Sequence, residues 1–275
     1  MTLSMPVQKT NPPDPLTAET VLPLAATTML GKSLYQLLPL TGSTNADAHR
    51  LGENGAPHGT LVVAETQTQG KGRQGRDWIS PTGQGIYATL LLRPAGLAVE
   101  DIPLLTLLAA VAAVEAIDLT CPGLSPSIKW PNDILIQQRK VAGILSEAAY
   151  AGSTVDFVLI GIGINVNTPT EALPVRPLYP ATSLAVEAGH PLSRHVLLAH
   201  WLTRMEDWLQ KLMDGGHASL REQWMRYARM AGRHVTVQQL SETIQGTVTG
   251  IANDGALLLD AADGQTTRIL SGDVC

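Results

Sequence analysis

Only two cysteines occur in the 275 residues, Cys121 and Cys275. Two cannot build a disulfide framework, and their separation matches no metal-ligand spacing. The chain therefore reads as a cytoplasmic protein with reduced thiols. A long basic run is missing too, and the formal net charge is −5, which argues against an extended nucleic-acid surface. No basic stretch followed by an apolar core opens the chain, so no secretory signal is read. The most apolar segment, residues 102–117, is interrupted by Pro103, Thr106 and Glu115 and falls short of the ~20 residues a membrane span needs. It reads as a buried helix, and no membrane contact is expected. The histidines, His49 and His58 among them, show no ligand spacing.

What remains is a globular composition, 44% hydrophobic, long enough for one large domain and a small one. Pro12, Pro13 and Pro15 break any helix near the start. Residues 1–38 therefore read as a disordered or weakly structured extension, with at most one short helix within 21–38. About forty residues are too few for a winged helix-turn-helix, so no specific DNA binding is expected. A helix is expected over 45–51, capped by the hydroxyl of Ser43 or Thr44. Strands follow at 60–64 and 85–92, then the apolar helix, then strands near 127–129, 134–137, 141–148 and 155–162. Gln137-Gln138-Arg139 turns a hairpin. Pro169, Pro174, Pro177 and Pro180 mark a loop. Ser193 caps a helix with Leu198, Trp201, Leu202, Met205, Trp208 and Leu212 at helical spacing, ended by Gly215-Gly216. Leu220, Trp224 and Tyr227 mark another. These aromatics read as core packing. The fold class is α+β: a mixed sheet with helices packed on one face, over 39–231. From Gly232 the pattern changes to short strands with turns at Asn253-Asp254-Gly255 and Ala262-Asp263-Gly264, so 232–275 reads as a small β-barrel.

Two segments carry the chemistry. The first is Gly70-Lys71-Gly72-Arg73-Gln74-Gly75-Arg76, a glycine loop with three cations that can surround an anion. Its G-x-G-x-x-G spacing matches the dinucleotide fingerprint, which needs a helix opening at the glycines. Pro81 and Gly83 follow instead, then a second strand, so the fingerprint is rejected. Gly70 to Gln74 hold no apolar anchor. With only repulsion among Lys71, Arg73 and Arg76 expected there, the loop reads as mobile until an anion closes it. The second segment is Lys129-Trp130-Pro131-Asn132-Asp133, followed by Lys140-Val141-Ala142-Gly143-Ile144. A lysine, an amide, a carboxylate and a second lysine suit a triphosphate, a Mg²⁺ ion and an acidic substrate.

These segments, with Ser43-Thr44-Asn45, Gln67, Trp78 and Gly161-Ile162-Gly163-Ile164-Asn165-Val166-Asn167, come in the order and at the approximate spacing of one family. From about Leu40 onward the chain resembles the biotin protein ligases, the holocarboxylase synthetases. The resemblance implies a class II synthetase-like catalytic domain and an SH3-like C-terminal barrel. It implies activation of biotin by ATP and Mg²⁺ as biotinyl-5'-AMP, then transfer to one lysine of a biotin carboxyl carrier protein domain. By the resemblance, Lys140 and Arg73 are catalytic. Ser43, Thr44, Asn45, Gln67, Gly70, Lys71, Gly72, Arg73, Lys140 and Gly143 would bind biotin. Arg76, Trp78, Lys129, Asn132, Asp133 and Asn165 would bind ATP, with Asp133 as a Mg²⁺ ligand and Trp78 over adenine. Neutral donors and acceptors at Ser43, Thr44, Asn45 and Gln67 suit an uncharged ureido ring. A homodimer is possible, as in relatives. Lys71 departs from the family's usual arginine and loses its planar fork. The segment Gly272-Asp273-Val274-Cys275 lacks the arginine that relatives commonly carry further on. The competing readings are a lipoate or octanoate ligase, a biotin-responsive regulator and an inactive biotin-sequestering protein. The first would need a histidine after the glycine run, the second a DNA-binding domain. Intact Lys140 and Asp133 argue against the third.

Overall fold

The structure, a computed structural model, describes residues 14–93, 98–175, 179–239, 242–261 and 264–274. The chain runs through α1 (Ala18–Val21), β1 (Tyr35–Leu38), α2 (Thr44–Glu53), β2 (Thr60–Ala64), β3 (Gly85–Leu92), α3 (Leu104–Thr120), β4 (Ser127–Lys129), β5 (Asp133–Ile136), β6 (Arg139–Ala151) and β7 (Thr154–Asn165). Then come α4 (Leu184–Ala188), α5 (Arg194–Met213), α6 (His217–Ala228), β8 (His234–Gln238), β9 (Thr243–Ile251), β10 (Leu257–Asp260), β11 (Thr266–Ile269) and β12 (Asp273–Val274). Strands β1 to β7 form one seven-stranded sheet in the order β1-β2-β3-β7-β6-β5-β4. Only β1–β2 pair in parallel; every other neighbour is antiparallel. The hairpin between β5 and β6 turns on Gln137 and Gln138, both left-handed at φ 48° and 63°.

Alternation along the strands separates two apolar faces. Leu61, Val63, Ile86, Ala88, Leu90, Ile160 and Ile162 face α3, α5 and α6 in the main core. Val62, Leu91, Phe157 and Leu159 face the other way, where α2 places Ala48. The helices expected on one face are there, and α2 takes the opposite one. Apolar all round, α3 is a core helix. Together with the turn before it, it spans 22 residues at Val99–Thr120, long and apolar enough by composition to cross a membrane. The length argument against a span therefore fails. What marks α3 as core is its burial beneath α5 and α6. Of its two acids, Glu115 accepts from Trp208 Nε1 at 3.0 Å on α5 and Gln223 Nε2 at 3.3 Å on α6.

The expectation of a weakly structured 1–38 is corrected for residues 14–38; residues 1–13 lie outside the described residues. Leu16, Val21 and Leu30 are fully buried in the main core, and Tyr35–Leu38 is a sheet strand, not part of a helix. The strap is fastened by side chains that no periodicity announces. Asp14 accepts from Ser193 Oγ at 2.7 Å and Arg194 N at 2.9 Å. Buried Arg194 donates to Asp14 O at 2.6 Å and Glu65 Oε2 at 2.7 Å. The Glu206 carboxylate accepts from Thr28 N at 2.6 Å, Thr28 Oγ1 at 2.7 Å, Leu30 N at 2.8 Å and Met29 N at 3.1 Å. A carboxylate is the one side chain that can accept so many donors at once.

Strands β8 to β12 form an antiparallel sheet in the order β11-β10-β9-β8-β12. The expected barrel is corrected to an open sheet, since β11 and β12 are its two edges. Gly255, at φ 83°, closes the hairpin between β9 and β10; Ala262 and Asp263 lie outside the described residues. The apolar side of this sheet, with Val237, Leu257 and Leu259, is continuous with the main core. The loop of 167–182 holds a 3₁₀ turn at Thr170–Ala172, and Pro177 lies outside the described residues.

Partial burial pushes the Glu206 pKa up, but the donors of Leu30, Thr28 and Met29 outweigh it and hold the carboxyl below its ordinary 4.5. Its stabilising share is thus complete above pH 4.5 and fades as the pH falls below it. Glu206→Ala is expected to cost about 1–2 kcal/mol of stability at neutral pH, because four donors lose their acceptor. Chemical denaturation of both proteins at pH 7 and near pH 3 checks this, since the difference should shrink in acid.

Candidate active site

Pairing of β6 with β7 sets Gly143 opposite Gly163 and Leu145 opposite Gly161. Three of these four positions carry no side chain, and the strip floors a cleft of about 680 Å³ counted out into open solvent. Trp78 lies on the strip. A Cβ added at Gly163 would stand 2.5 Å from Trp78 Cε2, and one at Gly143 3.2 Å from Cζ3. At Gly161 the added Cβ would collide with Asn45 Oδ1. The glycines therefore serve close approach by side chains from α2 and the loop after β2.

One end of the cleft is neutral and polar. Ser43, Thr44 and Asn45 enter it from the N-terminus of α2, and Gln67 from the segment after β2. Neither hydroxyl caps α2 as expected. Thr44 Oγ1 and Thr44 N instead donate to Gln67 Oε1, at 3.1 and 2.9 Å. Gln67 Nε2 reaches Ser80 Oγ at 3.0 Å.

The other end is charged. Lys140 Nζ stands 2.6 Å from Asp133 Oδ1 and 5.4 Å from the centre of the Trp78 ring. Their strands carry them in, β5 ending its register at Asp133 opposite Gly143. The Lys140 backbone is braced by Pro180 O at 2.8 Å and Thr182 N at 2.9 Å. Asn132 donates to Ile144 O at 2.6 Å and accepts from Arg73 Nη1 at 3.3 Å. Burial presses the Arg73 guanidinium below the ordinary arginine value, against the pull of the Asp273 and Asp133 charges. It remains a cation at neutral pH.

The basic loop is fastened, which corrects the expectation that only repulsion acts in it. Gly72 N donates to Arg76 O at 2.6 Å, Trp78 N to Gly70 O at 2.8 Å, and Lys71 bridges Asp77. Gln74 and Gly75 turn it with φ of 56° and 71°. Arg76 Nη2 pairs with Asp273 Oδ2 at 3.1 Å, and Arg73 Nη1 donates to Gly272 O at 3.5 Å. The last strand of the C-terminal sheet thus reaches the cleft.

Of the residues singled out in the sequence, Ser43, Thr44, Asn45, Gln67, Lys71, Gly72, Arg73, Arg76, Trp78, Asn132, Asp133, Lys140 and Gly143 meet around this cleft. Three do not. Gly70 sits at the root of the loop, where a Cβ would meet Trp78 O at 2.5 Å. Lys129 lies in a separate groove against the C-terminal sheet, 4.2 Å above the Tyr179 ring. Asn165, nearly buried, donates to Thr182 O at 3.0 Å and lines a smaller pocket with Trp78 and Lys140. Three residues of the site were missed: Thr89, Glu147 and Asp273. Thr89 was visible as the lone aliphatic hydroxyl inside an apolar strand that turns out fully buried. Glu147 and Asp273 carried no sequence signal.

A neutral hydrogen-bonding end joined to a cationic end fits a ligand with an uncharged polar head and an anionic tail. Cations and fixed dipoles, without a nucleophilic side chain, suit a reaction whose obstacle is repulsion between anions.

Comparison with known proteins points the same way. Residues 37–165 match the biotin/lipoate A/B protein ligase family, and residues 231–275 match the biotin protein ligase C-terminal domain. The bifunctional ligase/repressor BirA of Bacillus subtilis is 40% identical over 232 residues, 84% of this chain and 70% of that protein. The biotin–[acetyl-CoA-carboxylase] ligase of Paracoccus denitrificans is 35% identical over 231 residues, 83% of this chain and 95% of that protein. Among solved structures, the biotin protein ligase from Aquifex aeolicus in complex with biotin and ATP superimposes with a TM-score of 0.69 at 30% identity, covering 88% of this chain and 97% of that one. The chain belongs to the biotin protein ligase family.

Proposed function

We propose that this chain activates biotin with ATP and transfers it to a lysine of a biotin carboxyl carrier domain. The observation that carries the reading is the single cleft with amides and hydroxyls at one end and Lys140, Arg73 and Arg76 at the other. A ureido ring fits the first end and a carboxylate beside a triphosphate fits the second. A lipoyl or octanoyl head would leave Asn45 and Gln67 without polar partners from the ligand, which disfavours the lipoate alternative.

In the first step a biotin carboxylate oxygen attacks the α-phosphorus of ATP. The bond from that phosphorus to the bridging oxygen breaks, and pyrophosphate leaves. Lys140 neutralises the carboxylate and the forming acyl phosphate; Arg73 and Arg76 hold the phosphate oxygens. In the second step the acceptor amine attacks the acyl carbon, and AMP leaves. A Mg²⁺ ion arriving with ATP fits Asp133, since Mg²⁺ takes one or two carboxylates and completes its shell with phosphates and water; it would offset charge on the departing pyrophosphate. Trp78, on its glycine strip, offers a flat face for adenine. Asn165 opens on the adjoining pocket beside Trp78 and Lys140, which suits a nucleotide contact, while Lys129 faces the groove at the C-terminal sheet. We further propose a cytoplasmic enzyme that does not bind DNA specifically and that can form a homodimer.

Incubation with biotin, ATP, Mg²⁺ and a carrier domain is expected to raise the carrier mass by one biotinyl group in mass spectrometry. A shift with lipoate in place of biotin would assign the chain to the neighbouring ligases. Lys140→Ala is expected to lower biotin-dependent pyrophosphate release by ~10²–10³, the usual cost of losing one charge contact at a developing charge. Circular dichroism checks that its fold is kept, and a wild-type rate in this variant removes Lys140 from the mechanism. Arg73→Gly loses the contacts to Asn132 and Gly272, so the loop closes poorly and the adenylate escapes. Biotin on an unrelated bystander protein is expected to rise. Bystander labelling at the wild-type level, with adenylate still made, means the loop does not retain the intermediate.

A further inference from the structure

The polar end of the cleft has a hydrogen-bond chain whose proton count selects its ligand. Thr44 N donates to Gln67 Oε1 at 2.9 Å, and a backbone N–H only donates, so the Gln67 carbonyl must face Thr44. At the other end, the Glu147 carboxylate takes Asn45 Nδ2 at 2.6 Å. An ionised carboxylate only accepts, so the Asn45 carbonyl is turned away from it, to Thr89 Oγ1 at 2.6 Å. Between the two carbonyls stand the hydroxyls of Thr44 and Thr89, 2.9 Å apart. Three contacts join these four groups: Asn45 Oδ1 to Thr89, Thr89 to Thr44, and Thr44 to Gln67 Oε1. Two hydroxyl protons serve all three, and Gln67 Oε1 already has the Thr44 N–H, so both protons are spent inside the chain and none is left to donate to a ligand. Thr89 is fully buried and Thr44 and Asn45 nearly so. What the chain still offers toward the cleft are lone pairs, which a ligand N–H can use and a ligand acceptor cannot.

We propose that Glu147 and Thr89 are positioning residues that set the polarity of this chain, so that the buried end of the cleft accepts hydrogen bonds from ligand N–H groups and selects a cyclic urea over an alkyl or dithiolane head. The proposal rests on the reading of this cleft as a biotin site. Glu147 acts through Asn45 from an exposed position on β6. Without it only the 3.5 Å contact to Leu145 O holds the Asn45 amide, which can rotate, present its NH₂ to Thr89 and so free a hydroxyl proton of the chain. A hydroxyl can then donate toward the cleft, and this end no longer favours a ligand donor over an acceptor.

Pyrophosphate release by the full chain, titrated separately with biotin and with ATP, tests this. Glu147→Ala and Thr89→Val are each expected to raise KM for biotin about tenfold, while KM for ATP and the rate at saturating biotin move less than about twofold. Glu147→Gln keeps an acceptor and Thr89→Ser keeps the hydroxyl, so both are expected to recover most of the loss. Desthiobiotin, which retains the cyclic urea without the sulfur ring, should weaken as an inhibitor by the same factor as biotin. Glu147 lies on the surface, so its variants test the idea even where Thr89→Val misfolds. An unchanged KM for biotin in Glu147→Ala overturns the proposal, as does a parallel rise in both KM values or a lost rate without a KM change. A wild-type chain that releases no pyrophosphate with biotin is a different result, and it removes the reading of the site itself.

Discussion

The site depends on a strip of bare sheet. Antiparallel register between β6 and β7 sets Gly143 against Gly163 and brings Gly161 into the same face. A one-residue slip would carry Ile144, Ile162 and Ile164 into the cleft and the glycines into the core. Core burial of those isoleucines therefore holds the register that opens the cleft. The face left bare receives Trp78 from one side and Asn45 from the other, each at a distance that no added Cβ allows. The apolar core and the polar site are opposite faces of the same two strands.

Around this strip the charges are arranged in pairs, which explains how cations tolerate the cleft without a ligand. Lys140 has Asp133, Arg76 has Asp273, and Arg73 leans on the Asn132 and Gly272 carbonyls. None is a deeply buried, unpaired charge, which would be expensive. An incoming polyanion competes for partners that are already half in place. Because Asp273 opens β12 and Gly272 immediately precedes it, the C-terminal sheet becomes a side of the site, and its core is continuous with α3. The 3.1 Å pair between Arg76 and Asp273 is part exposed, so it guides the loop more than it stabilises the fold.

Regular elements were legible because their signals are local. The fully apolar run of β3, the all-apolar α3, the Ser193 cap and the two-residue hairpin after β5 each announce themselves within a few residues. Two failures share one cause. Residues 14–38 looked loose because Leu16, Val21 and Leu30 follow no helical or strand period; acceptors on Glu206 and donors on Arg194, far away in sequence, order them. The basic loop looked unanchored because its anchor, Asp273, lies 197 residues downstream. Within the site, motif residues from four separate segments were legible as a set. Which of them meet was not, and Lys129 and Asn165 show why. Asn165 stands on the same face of β7 as Gly161 and Gly163 but one step beyond them, in the adjoining pocket beside Trp78 and Lys140, and Lys129, paired with Asp133, is drawn over the Tyr179 ring.

The division of the cleft into a rigid half and a fastened but exposed half matches the two demands of adenylate chemistry. Recognition of an uncharged head needs buried groups with fixed orientation, because a misplaced amide costs as much as a missing one. That half is built on α2, β3, β6 and β7, with Thr44, Asn45 and Thr89 buried. A mixed anhydride must be made and then surrendered to a protein-borne lysine, so the half that covers it has to open. That half is the Gly70–Arg76 loop, which contributes no fully buried residue beyond Gly70. Lys140 belongs to the rigid half by its backbone, braced by Pro180 and Thr182, and faces the movable half by its side chain. Its place in the cleft is therefore set by the sheet and by Pro180 and Thr182, independently of the contacts that Arg73 and Arg76 make with Gly272 and Asp273.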